Sequence, residues 1–150
     1  PKRILDMGCG SGILSIASAR LWPRSKIVAL DVDSDAVATT RENIKLNQVK
    51  RQIDCDRSNG YPKKSPNRKT KFDIIVANIL AGPLFDMAYD SSRWVNKGGF
   101  VILSGLLIHQ ERYVLAAFRS CGLQLFKRQH ISGWSTIILR KSSIRKSAML

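Results

Sequence analysis

An α/β fold is the architecture that this sequence predicts: a doubly wound, Rossmann-like, mostly parallel seven-stranded sheet with one antiparallel edge strand. Strand-like apolar runs alternate with helical patterns along the 150 residues. A glycine-rich turn joins the first such run to the first helix. The last two runs are separated only by Ser132 and Gly133, as in a hairpin. The length suits a single domain with its own core.

The first half of the chain contains three predicted strands and two predicted helices. Residues 2–7, 26–30 and 52–55 carry the patterns of strands, and the third pattern is the weakest. Residues 11–21 follow a helical pattern that stops near Pro23, which cannot continue a helix. A second helix extends to about residue 47, and Ser34 or Asp35 offers a side-chain oxygen that can cap its first turn.

The second half of the chain predicts four further strands and two further helices. Residues 57–70 form a loop, because glycine and prolines stand there among charges. A helix begins at Pro83, a favoured first position, and extends to about residue 95. Another helix covers 108–120 and ends at Gly122. The predicted strands are 72–77, 100–103, 123–129 and 136–139.

The remaining features of the chain bound its class. We expect one domain over residues 1–140 and a disordered basic tail over 141–150, which has little to bury. Since the chain opens on a strand without an initiator methionine, we also expect a fragment without a signal peptide. No apolar run reaches the roughly 18 residues of a membrane helix. The three cysteines lack metal-ligand spacing, which indicates reduced thiols in a cytoplasmic protein and no metal.

The net charge of +14 is concentrated in two stretches. Residues 57–71 contain six lysines and arginines and no acid, and no acid follows Glu111. Basic surfaces of this kind attract RNA or other anions. A solvated loop and a basic tail are an equally good interpretation, because neither stretch interleaves aromatic residues as a base-stacking surface does.

The glycine-rich turn predicts a nucleotide-like ligand. Asp6 is followed by Gly8, Gly10 and Gly12, and glycines there let the backbone approach a ligand closely. A dinucleotide fingerprint requires a small residue one position later, where this chain has Ile13. The spacing instead resembles the first motif of the S-adenosylmethionine-dependent methyltransferases. A glycine turn without a ligand is the alternative.

Two further polar residues follow predicted strands and should lie near the glycine turn, because ligands of such sheets bind beyond the carboxyl ends of the strands. Asp31 can accept both hydroxyls of a ribose, whereas Asp33 and Asp35 are better explained as acids at the start of a helix. Asn78 can orient a substrate amine and contact the cofactor tail, although it can also merely cap a turn. No aromatic residue follows Asn78, which argues against a flipped base and suits a flexible, nonplanar amine.

Five segments together are similar to one family. They are D-M-G-C-G-S-G-I-L-S-I-A, A-L-D-V-D-S-D-A-V, R-E-N-I-K-L-N, V-A-N-I-L-A-G-P-L and I-L-S-G-L-L. They resemble the bacterial methyltransferases of large-subunit ribosomal protein eleven, which have the class I methyltransferase fold. The resemblance implies S-adenosyl-L-methionine as cofactor and methylation of lysine ε-amines and an α-amine on that ribosomal protein. It also implies cofactor contacts at Gly8, Asp31 and Asn78, with Asp6 and Gly10 supporting the loop.

The chain departs from this family in three expected ways. The family's N-terminal substrate-recognition domain, and the segment that helps to cover the cofactor, are not in the sequence, and residues 57–71 are unusually basic. Two alternatives therefore stay open: an RNA or DNA amino-group methyltransferase, and a truncated, non-catalytic remnant of the cofactor fold.

Asn78 is the one predicted catalytic residue, since the sequence contains no evident dedicated base. His109 and His130 are expected to be structural or exposed. Trp134 is expected to pack at the sheet edge rather than to border the site, and Phe85 to belong to a helix core.

Overall fold

A computed structural model describes residues 1–62, 66–67 and 69–143. These residues form one seven-stranded sheet with the strand order β3-β2-β1-β4-β5-β7-β6. The strands are β1 (Arg3–Met7), β2 (Lys26–Asp31), β3 (Ile53–Arg57), β4 (Phe72–Asn78), β5 (Val95–Leu107), β6 (Leu123–Ile131) and β7 (Trp134–Lys141). The connecting helices are α1 (Ile13–Leu21), α2 (Ser34–Leu46), α3 (Ala81–Asp86), α4 (Ala88–Trp94) and α5 (Ile108–Ser120).

The sheet is doubly wound, which confirms the predicted fold class. One buried cluster joins α1 and α2 to β1, β2 and β3, with Ile4, Ile27 and Ile44 among its members. A second cluster joins α3, α4 and α5 to the other face of the sheet, with Ile75 and Phe118 at its centre. Strands with both faces covered in this way need apolar side chains on both faces, as β1 has.

Strand direction changes only at the C-terminal hairpin. The pairs β1–β2, β2–β3, β1–β4 and β4–β5 are parallel. β7 is antiparallel to both β5 and β6, so the predicted antiparallel strand lies in the hairpin that forms this edge of the sheet, with β6 as the outermost strand. Ser132 (φ 49°) and Gly133 (φ 85°) make the connecting turn, and positive φ at both central residues is what a two-residue hairpin turn requires.

The order of the strands reverses between β1 and β4. The carboxyl ends of β1, β2 and β4 therefore meet at one edge of the sheet, at the point where ligands of open α/β sheets bind. The glycine loop follows β1, Asp31 ends β2 and Asn78 ends β4. This topology brings the sequence-predicted site residues into one region.

Several element boundaries differ from the predictions. The single helix expected from Pro83 is two helices, α3 and α4, which meet at Met87, and α3 begins two residues before the proline. β5 was expected over 100–103 but begins at Val95, where it pairs with Phe72. Gly99 permits this extension, since a Cβ there would lie 2.8 Å from the carbonyl oxygen of Asp73.

The helix cap and the tail also differ. Asp33, rather than Ser34 or Asp35, caps α2 by accepting a hydrogen bond from Asp35 N at 2.9 Å. Lys141 still belongs to β7, one residue past the expected end of the domain. The rest of the predicted disordered tail, from residue 144, lies outside the described residues, as do residues 63–65 and 68 of the basic stretch. None of the described helices is both long and apolar enough to cross a membrane.

Candidate active site at the carboxyl ends of β1, β2 and β4

The glycine loop is tied to the end of β2 by main-chain hydrogen bonds. Gly8 N and Cys9 N both donate to the carbonyl oxygen of Leu30, at 2.7 and 3.0 Å. Gly12 N donates to Cys9 O at 2.7 Å and closes the turn before α1. Main-chain hydrogen bonds therefore fix the start and the end of the loop.

Each glycine of the loop has a positive φ, but the three have different surroundings. A Cβ at Gly8 would lie 2.3 Å from a methyl carbon of Ile79, and one at Gly12 would lie 2.9 Å from a methyl carbon of Thr40. A Cβ at Gly10 would meet nothing within 4 Å. Gly8 and Gly12 therefore permit close packing, whereas Gly10 faces open space where a ligand can approach the backbone.

Two polar residues of α2 hold the loop, and the sequence interpretation missed both. Thr40 Oγ1 donates to Gly10 O at 2.9 Å, and Asn43 Nδ2 donates to Ser11 O at 2.8 Å. Their spacing of three residues places them on one side of a helix. The signal was therefore available, as a polar pair beside the apolar positions Val37 and Ile44 of α2.

Cys9 packs within the same contact. Its thiol lies 3.4 Å from Thr40 Oγ1 and is buried. Burial raises the pKa of Cys9 above its usual value, so this side chain stays a neutral thiol. A nucleophile needs the thiolate form, and Cys9 is therefore a packing residue of the loop.

Asp31 faces the loop with both carboxylate oxygens partly used. Oδ2 accepts from Gly10 N at 2.9 Å, and Oδ1 accepts from Asp33 N at 3.0 Å. Each carboxylate oxygen can accept more than one hydrogen bond, so capacity remains for ligand hydroxyls. Asp33 and Asp35 lie at the start of α2, as predicted, with Asp35 in its first turn.

Asp6 lies behind the loop and is almost fully buried, at 1% exposure. Oδ2 accepts from Ser15 Oγ at 2.6 Å, whereas Oδ1 has no hydrogen-bond partner among the described residues. Burial raises the pKa of Asp6 from 3.8 to about 6; hydrogen bonds from Ser15 oppose the rise, and the charge of Asp31 adds to it. Asp6 is therefore hydrogen-bonded to α1, and its second oxygen keeps unused acceptor capacity.

Asn78 lines a cleft of about 520 Å³ beside the loop. It is exposed at the end of β4 and pairs with Ser104 of β5. Gly105 (φ 77°) lies against it, since a Cβ there would be 2.9 Å from Asn78 Oδ1 and 2.7 Å from Ile79 O. The cleft is lined by Asn78, Ile79, Leu80, Ser104, Gly105 and Trp134.

Trp134 corrects one expectation. The sequence favoured an aromatic residue packed at the sheet edge, but the structure places Trp134 in the lining of the Asn78 cleft, 53% exposed. The reason is that β5 continues to Leu107, where it pairs with Trp134, so the hairpin rises beyond the end of β4. Phe85, expected in a helix core, is instead half-buried and stacks on the exposed Tyr113 of α5, with ring centroids 4.2 Å apart; its neighbour Leu84 is the core residue.

Neither histidine contributes to the cleft lining. His109 is exposed, and His130 lies 2.6 Å from a carboxylate oxygen of Glu111, in agreement with the expected structural or exposed roles. A larger groove, of about 830 Å³, lies between α2 and β3 and includes Arg41 and Asp56. It contains none of the strand-end residues, so the smaller cleft is the better candidate site.

The assembled site combines three chemical capacities. The carboxylate of Asp31 can accept hydroxyls, the space at Gly10 lets a ligand pack closely against the backbone, and the Asn78 amide can bind an amine. Leu80, which is 75% exposed, adds an apolar wall with Trp134. The arrangement suits a nucleoside-containing ligand on one side and an amine acceptor on the other.

Comparison with known proteins agrees with this arrangement. The family model described as ribosomal protein L11 methyltransferase (PrmA) matches residues 1–142. The ribosomal protein L11 methyltransferase of Bradyrhizobium diazoefficiens is 40% identical over 141 residues, which cover 94% of this chain and 48% of that protein. The Brucella suis relative of the same name is 41% identical over 140 residues, or 93% of this chain and 49% of that protein. The chain thus spans about half the length of the curated relatives it matches.

Solved structures show the same fold. A crystal structure of ribosomal protein L11 methylase from Lactobacillus delbrueckii subsp. bulgaricus superposes with a TM-score of 0.78 at 31% identity, covering 94% of this chain and 71% of that one. A precorrin-6y C5,15-methyltransferase from Geobacter metallireducens reaches a TM-score of 0.77 at 17% identity, covering 95% and 80%. The second likeness concerns the fold alone.

Proposed function

Because the chain belongs to the ribosomal protein L11 methyltransferase family, we propose that it transfers methyl groups from S-adenosylmethionine to lysine ε-amines and an α-amine of ribosomal protein L11. The observation that carries the proposal is the position of Asn78. Its amide lies in an apolar cleft directly beside the glycine loop, so an amine held there is next to the cofactor side of the site.

S-adenosylmethionine is the cofactor of this family and fold, and the residues present suit it. Asp31 keeps acceptor capacity for the ribose hydroxyls, and the backbone at Gly10 is open to the ligand. Gly8 keeps the loop close to Ile79 at the end of β4, and Asp6 supports the loop from behind. When bound, the cofactor supplies an electrophilic methyl group on a sulfonium centre.

Asn78 is the proposed catalytic residue. Its side-chain oxygen accepts a hydrogen bond from the amine and directs the nitrogen lone pair toward the cofactor side. Gly105 leaves the space in which that amide sits, because any larger residue would contact Asn78 Oδ1. Holding the two reactants in line can supply roughly 7–11 kcal/mol of the rate enhancement.

The amine must be neutral before it can accept a methyl group. A free lysine has a pKa of about 10.4 and an α-amine of about 7.7–8.0. No ionisable side chain stands among the described residues that line the cleft. The walls of Leu80 and Trp134 instead favour the uncharged amine, because removal of water lowers an amine pKa.

RNA is the second candidate acceptor or partner, and a specific arrangement favours it. Phe126 is 60% exposed and meets Phe100 edge-on at 5.2 Å, and the guanidinium of Arg140 lies 5.6 Å from the Phe100 ring centre. These residues are distant in sequence, but in space they resemble a base-stacking surface. Trp134 also brings an aromatic ring to the cleft that lacks one after Asn78. We propose that RNA contacts the surface formed by Phe100, Phe126 and Arg140 during methylation of the protein.

Methyl transfer with a labelled cofactor tests these candidates together. The chain is incubated with S-adenosylmethionine that carries a tritiated methyl group, with purified ribosomal protein L11 or with total RNA as acceptor. We expect label on L11 amines, located by mass spectrometry, and only salt-sensitive binding of RNA. Label in RNA instead would replace the proposed acceptor, and calorimetry that detects no cofactor binding would indicate a non-catalytic remnant.

A further inference from the structure

One buried carboxylate connects α5 to the β6–β7 hairpin, which carries Trp134. Glu111 lies in the first turn of α5 and is 6% exposed. Its Oε1 forms a salt bridge with Arg128 Nη2 at 3.0 Å, while Oε2 lies 2.6 Å from His130 Nε2 and accepts from Ser135 Oγ at 2.8 Å. Arg128 and His130 belong to β6 and Ser135 to β7, so a single side chain joins both strands to α5.

The same end of the hairpin has a second link to α5. Ile108 N donates to the carbonyl oxygen of Gly133, in the hairpin turn, at 3.1 Å. Trp134 stands between this turn and Ser135, and it pairs with Leu107 of β5. Both links therefore hold the two neighbours of Trp134 in the chain, although Trp134 itself faces the cleft.

Apolar packing holds the other end of the hairpin. Leu123, Ile137 and Leu139 are fully buried against α5. The tip has no comparable core, since Ile131 is 62% and Trp134 53% exposed. Burying a carboxylate is costly unless polar partners satisfy it, and Arg128, His130 and Ser135 converge on Glu111 at the end of the hairpin that lacks apolar packing.

We propose that Glu111 is a positioning residue for the acceptor: by holding Arg128, His130 and Ser135, it fixes the hairpin tip so that Trp134 forms the wall of the cleft opposite Asn78. This inference rests on the proposed amine-methylating function of that cleft. It adds the source of the wall's rigidity, which lies outside the cleft and in a different element from the cofactor-binding loop.

A matched pair of variants tests the inference in the whole chain. Glu111→Gln removes the charge and one acceptor but keeps the shape. Asp73→Asn does the same to a carboxylate at the opposite end of the sheet, which receives hydrogen bonds from Lys2 N, Arg3 N and Asn96 Nδ2. Ser135→Ala removes one donor from the network and serves if Glu111→Gln does not fold.

The readouts are acceptor kinetics and the Trp134 indole signal in a nitrogen–proton NMR spectrum, assigned by Trp134→Phe. We expect Glu111→Gln to lower kcat/KM for L11 by about ten- to a hundredfold, mostly through a higher KM, while cofactor affinity stays within about twofold. The Trp134 signal should shift or broaden in Glu111→Gln and Ser135→Ala but not in Asp73→Asn.

An unchanged Trp134 signal in both network variants would overturn the inference, and so would equal kinetic losses in Glu111→Gln and Asp73→Asn. If the unaltered chain binds S-adenosylmethionine but methylates no L11, the proposed function fails by itself. The indole signal decides the positioning role even then, because it does not depend on turnover.

Discussion

Each side of the candidate site contains a buried carboxyl group, and the pKa values of the two groups are shifted in opposite directions. On the cofactor side, Asp6 keeps one oxygen without a partner among the described residues, and burial raises its pKa to about 6. On the acceptor side, burial also acts to raise the pKa of Glu111, but hydrogen bonds from His130 and Ser135, and then the charge of Arg128, outweigh it and lower the pKa below 4.5.

Burial alone therefore does not determine the behaviour of these acids. Two differences act in the same direction: Asp6 lies deeper in the fold than Glu111, so that desolvation raises its pKa more, and Glu111 has more polar partners that favour its charged form. The cofactor side leaves acceptors available to a polar ligand. The acceptor side uses its polar groups internally and presents an apolar wall to the amine.

The largest expected effect comes from the residue between the two sides. Asn78→Ala should lower methyl transfer to L11 by roughly a hundredfold or more, as loss of an orienting amide at a reacting centre does, while cofactor affinity falls less. Single-turnover kinetics and calorimetric titration measure the two quantities separately. Equal losses in both would assign Asn78 to the cofactor side alone.

Asp6→Asn should remove the free-energy cost of burying a charged carboxylate on the cofactor side of the site. The folded-state pKa of Asp6 is raised from 3.8 to about 6, so its contribution to stability is fully present below pH 3.8 and is lost as pH rises through about 6. The shift corresponds to about 3 kcal/mol at neutral pH. Urea unfolding should therefore show the variant more stable than the unaltered chain at pH 7.5 but not at pH 3.5.

Glu111→Gln should show the reverse pH dependence in the same unfolding experiment. Because the folded-state pKa of Glu111 is lowered, its contribution is present above the ordinary value of 4.5 and is lost as pH falls through the lower folded-state value. The variant should be less stable than the unaltered chain at pH 7.5, and the difference should shrink in acid. Curves of the same sign for both variants would contradict the comparison.

Asp31→Asn should weaken cofactor binding by about tenfold or more, since a hydrogen bond to a charged group contributes about 1.5–3 kcal/mol. The matched control is Asp35→Asn, which alters an acid in the first turn of α2 that contacts no loop residue in the described hydrogen bonds. Calorimetry with S-adenosylmethionine should detect the loss only for Asp31→Asn. Comparable affinity loss in the control would mean that net charge, and not the ribose contact, is responsible.

The last comparison concerns two glycines of β5 with nearly equal φ angles. Gly98 (φ 76°) has nothing within 4 Å of an added Cβ, whereas one at Gly105 (φ 77°) would crowd Asn78 Oδ1 and Ile79 O. Gly98→Ala should cost about 1 kcal/mol of backbone strain. Gly105→Ala should cost about 1–3 kcal/mol more and also slow methyl transfer. Identical unfolding curves for Gly98→Ala and Gly105→Ala would show that the backbone at Ile79 can move away from the added methyl group without a cost in stability.

The sequence interpretation succeeded where local patterns determine the structure. The alternation of strands and helices predicted the doubly wound sheet, and α5 was predicted with its observed bounds, Ile108–Ser120. Asp31 and Asn78 were expected near the glycine loop because the carboxyl ends of neighbouring parallel strands meet, and the structure places them there. Their roles toward a cofactor or an amine remain predictions.

Three residues of the site region were not predicted, because their roles depend on contacts between elements that are distant along the chain. Thr40 and Asn43 hold the glycine loop from α2, about thirty positions along the chain. Trp134 reaches the cleft only because β5 continues past Gly105 to pair with it. The position of Trp134 leaves no periodic signal, since it depends on how far two strands extend and on the register in which they pair.

The sequence alone determined the fold class, the glycine turn and the polar residues at the strand ends, because dihedral preferences, alternation of apolar residues and strand direction are local properties of the chain. Only the tertiary structure decided which residues line the cleft and in which direction the pKa of each buried carboxyl group shifts. Asp6 and Glu111 are both acids near a buried segment in the sequence, but the donors that they receive lie 9 to 24 positions away. The environment of a buried charge is set by neighbours in space, which the fold brings together and the sequence keeps apart.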